Sequence, residues 1–150
     1  MDNELMGLAL EQAAVALAAG EVPVGAVIVS PEGAVIGRGY NHPISSCDPS
    51  GHAEIMAMRE AARSAGNYRL TGTTLVCTLE PCTMCAGAIV HARIARLVFG
   101  AFDPKAGAAG SLYNVVADPR LNHQPEVVSG IREAECRQLL QEFFLWKRKS

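Results

Sequence analysis

Residues 4–19 carry Leu5, Leu8, Ala9, Gln12, Val15, Ala16 and Ala19 at helical spacing, and Gly20 stands where a helix would stop. This predicts a first helix lying on one face of a sheet. The stretch Val24 to Val29 is rich in β-branched residues, Pro31-Glu32-Gly33 is turn chemistry, and Ala34 to Tyr40 resumes an extended pattern, which together predict a β-hairpin. Asn41 to Gly51 reads as a loop, and a second helix is expected from near His52 to about Gly66. A buried strand follows over Thr73 to Leu79, between Gly72 and Pro81, with Pro81 suited to the first turn of a third helix over residues 82–92. Ile94 to Phe99 is another strand, Asp103 to Ser111 a glycine- and alanine-rich loop, Glu126 to Val128 a short strand, and a long helix begins at about Ile131. Two strand-helix-strand units of this kind predict parallel pairing.

At 150 residues, with no internal repeat or linker, the chain is expected to form a single domain over 1–150. Apolar residues make up 49% and charged residues 19%, which fits a globular domain and no disordered tract. The Val24 to Val29 run is far shorter than the roughly 20 residues that cross a bilayer, so no membrane span is expected. Met1-Asp2-Asn3-Glu4 is acidic where a targeting peptide would be basic, and a cytoplasmic protein with reduced thiols is expected. The net charge of −2 gives no overall attraction to nucleic acid, but it is unevenly spread. Residues 1–60 hold two bases against eight acids, and residues 61–150 hold eleven against seven. The closing Trp146-Lys147-Arg148-Lys149 suits either a solvated helix end or contact with a polyanion.

The five cysteines are an odd number and do not read as a disulfide framework. Cys82 and Cys85, in Pro81-Cys82-Thr83-Met84-Cys85, place two sulfurs on one helical face near its N-terminus, where thiolate is favoured and a soft divalent metal such as zinc can bind. With no second Cys-x-x-Cys pair a histidine must help, and His52 stands out because it opens a helix and precedes Glu54 by two positions. Three ligands leave a fourth tetrahedral position for water, the arrangement of a catalytic site, and Glu54 would act as proton shuttle. A thioredoxin-like redox pair and a zinc-stabilised scaffold without turnover remain the competing readings of the same residues. Cys77 and Cys136 read as small core hydrophobes, Cys47 is left open, and His42, His91 and His123 read as packing or surface residues.

His52-Ala53-Glu54 followed by Pro81-Cys82-Thr83-Met84-Cys85 matches the known signature of zinc nucleoside deaminases. The stretches Glu21 to Val27, His52 to Ala57, Thr78 to Ala88 and Gly107 to Leu112 further resemble the bacterial tRNA-specific adenosine deaminases of the cytidine and deoxycytidylate deaminase superfamily, over nearly the whole chain. The resemblance implies a cytidine deaminase-like α/β fold, a three-layer α/β/α sandwich with a mixed five-stranded sheet. It implies hydrolytic deamination of the wobble adenosine to inosine in a tRNA anticodon stem-loop, of an arginine tRNA, by a homodimer with one zinc per subunit. By the same route His52, Cys82 and Cys85 would bind zinc, Glu54 would move protons, and Asn41 would hydrogen-bond the flipped base. Asp103 and Lys105 would sit beside the RNA and Phe144 would flank a neighbouring nucleotide. The residue types agree with such a pocket, since Val24 offers an apolar wall, Phe144 a stacking face and Lys105 a cation, while Phe143 reads as core. Deamination of a free nucleobase or nucleoside such as guanine or cytosine is the alternative that shares this signature.

Overall fold

The structure, a computed structural model, describes residues 1–149. Among these residues lie α1 (Asp2–Ala18), β1 (Gly25–Val29), β2 (Val35–Tyr40), α2 (Ala53–Ala65), β3 (Thr74–Leu79), α3 (Thr83–Ala92), β4 (Arg96–Ala101), β5 (Glu126–Val128) and α4 (Glu133–Lys149), with one 3-10 turn at Val115–Ala117. The strands form one sheet in the order β2-β1-β3-β4-β5. β1 pairs antiparallel with both β2 and β3, whereas β3 with β4 and β4 with β5 are parallel, so the sheet is mixed. Of the two strand-helix-strand units, β3-α3-β4 joins adjacent parallel strands, whereas β2 and β3 of the first run the same way with β1 between them.

Alternation along the strands sorts the core into two layers. Ala26, Ile28, Leu75, Cys77, Leu97 and Phe99 face α2 and α3, packing with Ala53, Ala57, Ala86 and Ile89. Val27, Val76 and Val98 face the other way, with Met6 and Ala9 of α1 and Cys136 of α4. The result is a three-layer α/β/α sandwich. No helix among the described residues is long and apolar enough to cross a membrane.

Two contacts bring helix and strand unusually near. A Cβ on Gly39 would collide with the Ala53 carbonyl oxygen and the Ala57 amide, so α2 lies directly on the backbone of β2. A Cβ on Gly25 would likewise meet the Ala9 carbonyl and the Ala13 amide of α1. This explains why the buried line of α1 is Met6, Ala9, Ala13 and Ala16, while Val15, expected to be inside, is exposed. At such close approach only small side chains fit beside Gly25, where Ala9 and Ala13 lie, while Met6, Leu5, Leu8 and Leu10 fill the core layer around that contact. Helix α3 also starts two residues later than Pro81, which lies outside it, ahead of the N-cap Cys82.

The N-terminus of α1 is tied across the sheet. Arg96 on β4 donates to both oxygens of Asp2 at 2.9 and 2.6 Å and to Glu126 of β5 at 2.7 Å. The Arg96 hydrogen bonds hold the Asp2 carboxyl below its ordinary value.

Gly39→Ala is expected to lower the stability by about 2–3 kcal/mol, because backbone and not a pliable side chain must move; thermal unfolding against wild type checks this. The depressed Asp2 group contributes stability that is present above its unfolded value of 3.8 and lost as pH falls through its lower folded value. The melting difference between wild type and Asp2→Asn should therefore be constant at neutral pH and shrink progressively below pH 3.8.

Candidate active site

Helices α2 and α3 lie on the same face of the sheet, and each follows a strand whose C-terminal end is at the same edge. Their N-caps are His52 and Cys82, both in extended backbone conformation and neither making a capping hydrogen bond with its side chain. Imidazole and thiol are thus free to face one another. His52 Nδ1 lies 3.5 Å from Cys82 Sγ and 3.5 Å from Cys85 Sγ. The three donor atoms lie within 4.8 Å of one another. A tetrahedral zinc with bonds of about 2.05 Å to nitrogen and 2.3 Å to sulfur sets the N···S edge at about 3.6 Å, so both N···S distances fit that ion.

Two helix N-termini aimed at this point favour negative charge on sulfur. The Cys82 thiol is drawn down to about 3, first by the hydrogen bond from Cys85, with His52 adding to it. Cys85, the donor of that bond and itself buried, is pushed up. Glu54, in the first turn of α2, is buried, and burial lifts its carboxyl to about 7, against the opposing pull of its own helix amide and of His52. A carboxyl poised there both accepts and returns a proton at neutral pH.

These groups open onto a cavity of about 290 Å³ lined by Val22, Val24, Asn41, Leu79 and Asp103, among others. Asn41 is nearly buried, and its backbone N–H donates to the Val24 carbonyl at 3.0 Å, so the residue just ahead of β1 and the residue just after β2 hold the apolar wall and the polar group side by side. Lys105 and Phe144 are not in this cavity. They meet instead in a separate groove of about 520 Å³ with Arg137, Lys147 and Arg148 of α4. Phe143 is buried and Phe144 about half exposed, as the helical spacing predicts. Cys77 and Cys136 are buried, and Cys47 is exposed with a left-handed backbone, φ 51°. His42 bonds Ser46, His123 contacts the Ile94 carbonyl, and His91 is exposed, so none of the three joins the cluster.

Two buried carboxylates near the site carry no sequence motif: Glu80, which lines the cavity, and Glu21, which holds the loop after β2. Glu21 accepts from the Ile44 and Ser45 amides at 3.4 and 2.6 Å and from the Ser45 hydroxyl. Glu80 accepts from the amides of Asp103, Ala109 and Ser111 at 2.9, 3.0 and 3.0 Å and from the Ser111 hydroxyl. Burial raises the Glu80 carboxyl, but these four donors outweigh it and hold the group below its ordinary value. The only sequence signal was an acid set among apolar neighbours, as in Thr78-Leu79-Glu80-Pro81.

Residues 1–101 match the profile of the cytidine and deoxycytidylate deaminase zinc-binding region. The chain is 52% identical over 148 residues to the tRNA-specific adenosine deaminase of Haemophilus influenzae, covering 99% of this chain and 86% of that protein. It is 47% identical to the tRNA-specific adenosine deaminase of Bacillus subtilis, covering 99% and 91%. A solved structure from work on A-to-I editing by tRNA:A34 deaminases at the wobble position superposes with a TM-score of 0.88 at 46% identity, covering 91% of this chain and 99% of that one. The matched zinc-binding region and the His52-Cys82-Cys85 cluster both point to zinc.

Cys85→Ala or His52→Ala should abolish stoichiometric zinc in the purified protein, whereas Glu54→Ala should retain it; metal analysis by atomic absorption separates ligand from non-ligand.

Proposed function

The chain belongs to the cytidine and deoxycytidylate deaminase family and, within it, to the tRNA-specific adenosine deaminases, and on that premise we propose that it converts the wobble adenosine of an arginine tRNA to inosine. It is a deaminase, a hydrolase that replaces an amino group on a ring carbon by oxygen. The observation that carries the reading is the buried Glu54 beside a His52-Cys82-Cys85 triangle at the floor of a cavity that a flipped purine can enter.

Zinc held by His52, Cys82 and Cys85 supplies the Lewis acidity that makes a water nucleophilic at neutral pH. The remaining work falls to the chain. Glu54 takes a proton from the attacking water and delivers it to the purine ring nitrogen, so that C6 can accept the oxygen. It then takes the remaining proton from the hydroxyl now on C6 and hands it to the amine, so that the C6–N bond breaks, ammonia leaves and the carbonyl of inosine forms. Asn41 carries both a donor and an acceptor on its side chain and can pair with the base edge. Val22, Val24 and Leu79 give apolar contact to the ring and exclude water around it.

A single nucleobase fills such a cavity, whereas an anticodon also needs its backbone held. The groove of Lys105, Arg137, Lys147 and Arg148 around Phe144 supplies cations for phosphates and an aromatic face for a neighbouring base. This groove favours an RNA substrate over a free base. A homodimer, with one zinc in each subunit, belongs to the same reading and is supported by the apolar groove of Ile55, Met58, Leu70, Ala88 and Ala92 between α2 and α3, beside the exposed Tyr68. A cytoplasmic location follows from a tRNA substrate.

The experiment is nucleoside mass spectrometry after incubating the zinc-loaded protein with an arginine anticodon stem-loop bearing adenosine at the wobble position, with free adenosine, guanine and cytosine alongside. Inosine should form in the stem-loop, and product from a free base alone would overturn the proposal. Glu54→Ala should reduce turnover by about 100- to 10,000-fold without loss of zinc.

A further inference from the structure

Glu80 spends its whole hydrogen-bonding capacity on one segment. Oε1 takes the Asp103 amide and the Ser111 hydroxyl, and Oε2 takes the amides of Ala109 and Ser111. All four donors belong to the 102–111 loop. The fit is close as well as polar: a Cβ on Gly107 would overlap the carboxyl carbon and both of its oxygens, so the loop backbone rests directly on the acid. Glu80 is 2% exposed and itself borders the cavity, between the wall residue Leu79 and the Pro81-Cys82 step into α3. The loop it holds contributes Asp103 and Ala106 to the same cavity and Lys105 to the basic groove.

We propose that Glu80 is a positioning residue, whose carboxylate fastens the 102–111 loop so that the cavity wall and the basic groove are set before substrate arrives. A buried carboxylate is a costly way to fill space, and a residue with no acceptors would leave three loop amides unsatisfied. Both oxygens must accept, so the requirement is for a carboxylate and not merely for its shape. In Glu80→Gln one oxygen becomes an NH₂ group that faces two donors. Because the metal ligands and Glu54 are held by the ends of α2 and α3, a loosened loop should weaken substrate capture and leave the chemical step largely intact. A loop fixed in advance removes an ordering cost from binding, and that cost is what the variant restores.

The inference rests on the tRNA reading for its kinetic arm alone. With the arginine anticodon stem-loop, Glu80→Gln should raise KM by roughly 10- to 100-fold, with kcat within about threefold of wild type and zinc content unchanged. Hydrogen exchange of the amides of Ala109 and Ser111 should quicken by a similar factor. Ser111→Ala, which removes one donor and leaves the carboxylate, gives a smaller KM effect and guards against misfolding of the first variant. In the Glu80→Gln background it should add almost nothing. A fall in kcat at unchanged KM, or unaltered exchange in the loop, overturns the proposal. Should wild type form no inosine, the tRNA reading fails, and loop exchange alone decides the role of Glu80.

Discussion

Everything at the site depends on two helix N-termini being brought to one point. β2 and β3 run in the same direction with the antiparallel β1 between them, so their C-terminal ends lie at the same edge of the sheet. α2 and α3 start from that edge on the same face. Crevices outside the carboxyl ends of strands are where open α/β sheets bind ligands, and here the crevice is lined by helix starts. The positive ends of the two helices then favour thiolate at Cys82 while the buried sheet desolvates Glu54. One topological arrangement thereby sets two opposite demands, a sulfur kept anionic and a carboxyl kept protonatable.

The precision of that meeting comes from the glycines of β2. With Gly39 lying beneath the Ala53 carbonyl, the first turn of α2 cannot slide along the strand without a backbone collision. His52 and Glu54, one residue before and one after Ala53, inherit that fixed position. A larger residue on the strand would lift the helix and open the distance between imidazole and thiols. Rigidity of secondary structure, more than any side-chain network, places the metal ligands.

Much of this was readable in the chain because short-range spacing encodes it. His-x-Glu and Cys-x-x-Cys at predicted helix starts need no tertiary knowledge beyond the claim that the starts converge, and Gly66 marked the end of α2 where the left-handed cap lies. Tertiary effects set the limit elsewhere. The buried stripe of α1 was displaced to smaller residues because the closeness of Gly25 cannot be seen from periodicity. The first strand-helix-strand unit predicts direct pairing of β2 with β3, and the intervening β1 follows only from the sheet order. Glu21 and Glu80 escaped notice because most of their partners are backbone amides, which every sequence contains and no motif announces. Lys105 and Phe144, which the resemblance places beside the RNA and a neighbouring nucleotide, meet in the α4 groove outside the cavity, a juxtaposition of distant segments that no local spacing encodes.

Glu21 and Glu80 have a shared consequence. Each anchors a different loop, 41–51 or 102–111, from a position at or just beyond the sheet, while the reactive groups stand on helices. Rim and floor are thus built from separate parts of the chain. A fold organised in this way can have its rim exchanged as a cassette, in length and in character, provided an acid remains beneath it to be grasped. The reactive floor would then be inherited unchanged by chains that select different bases.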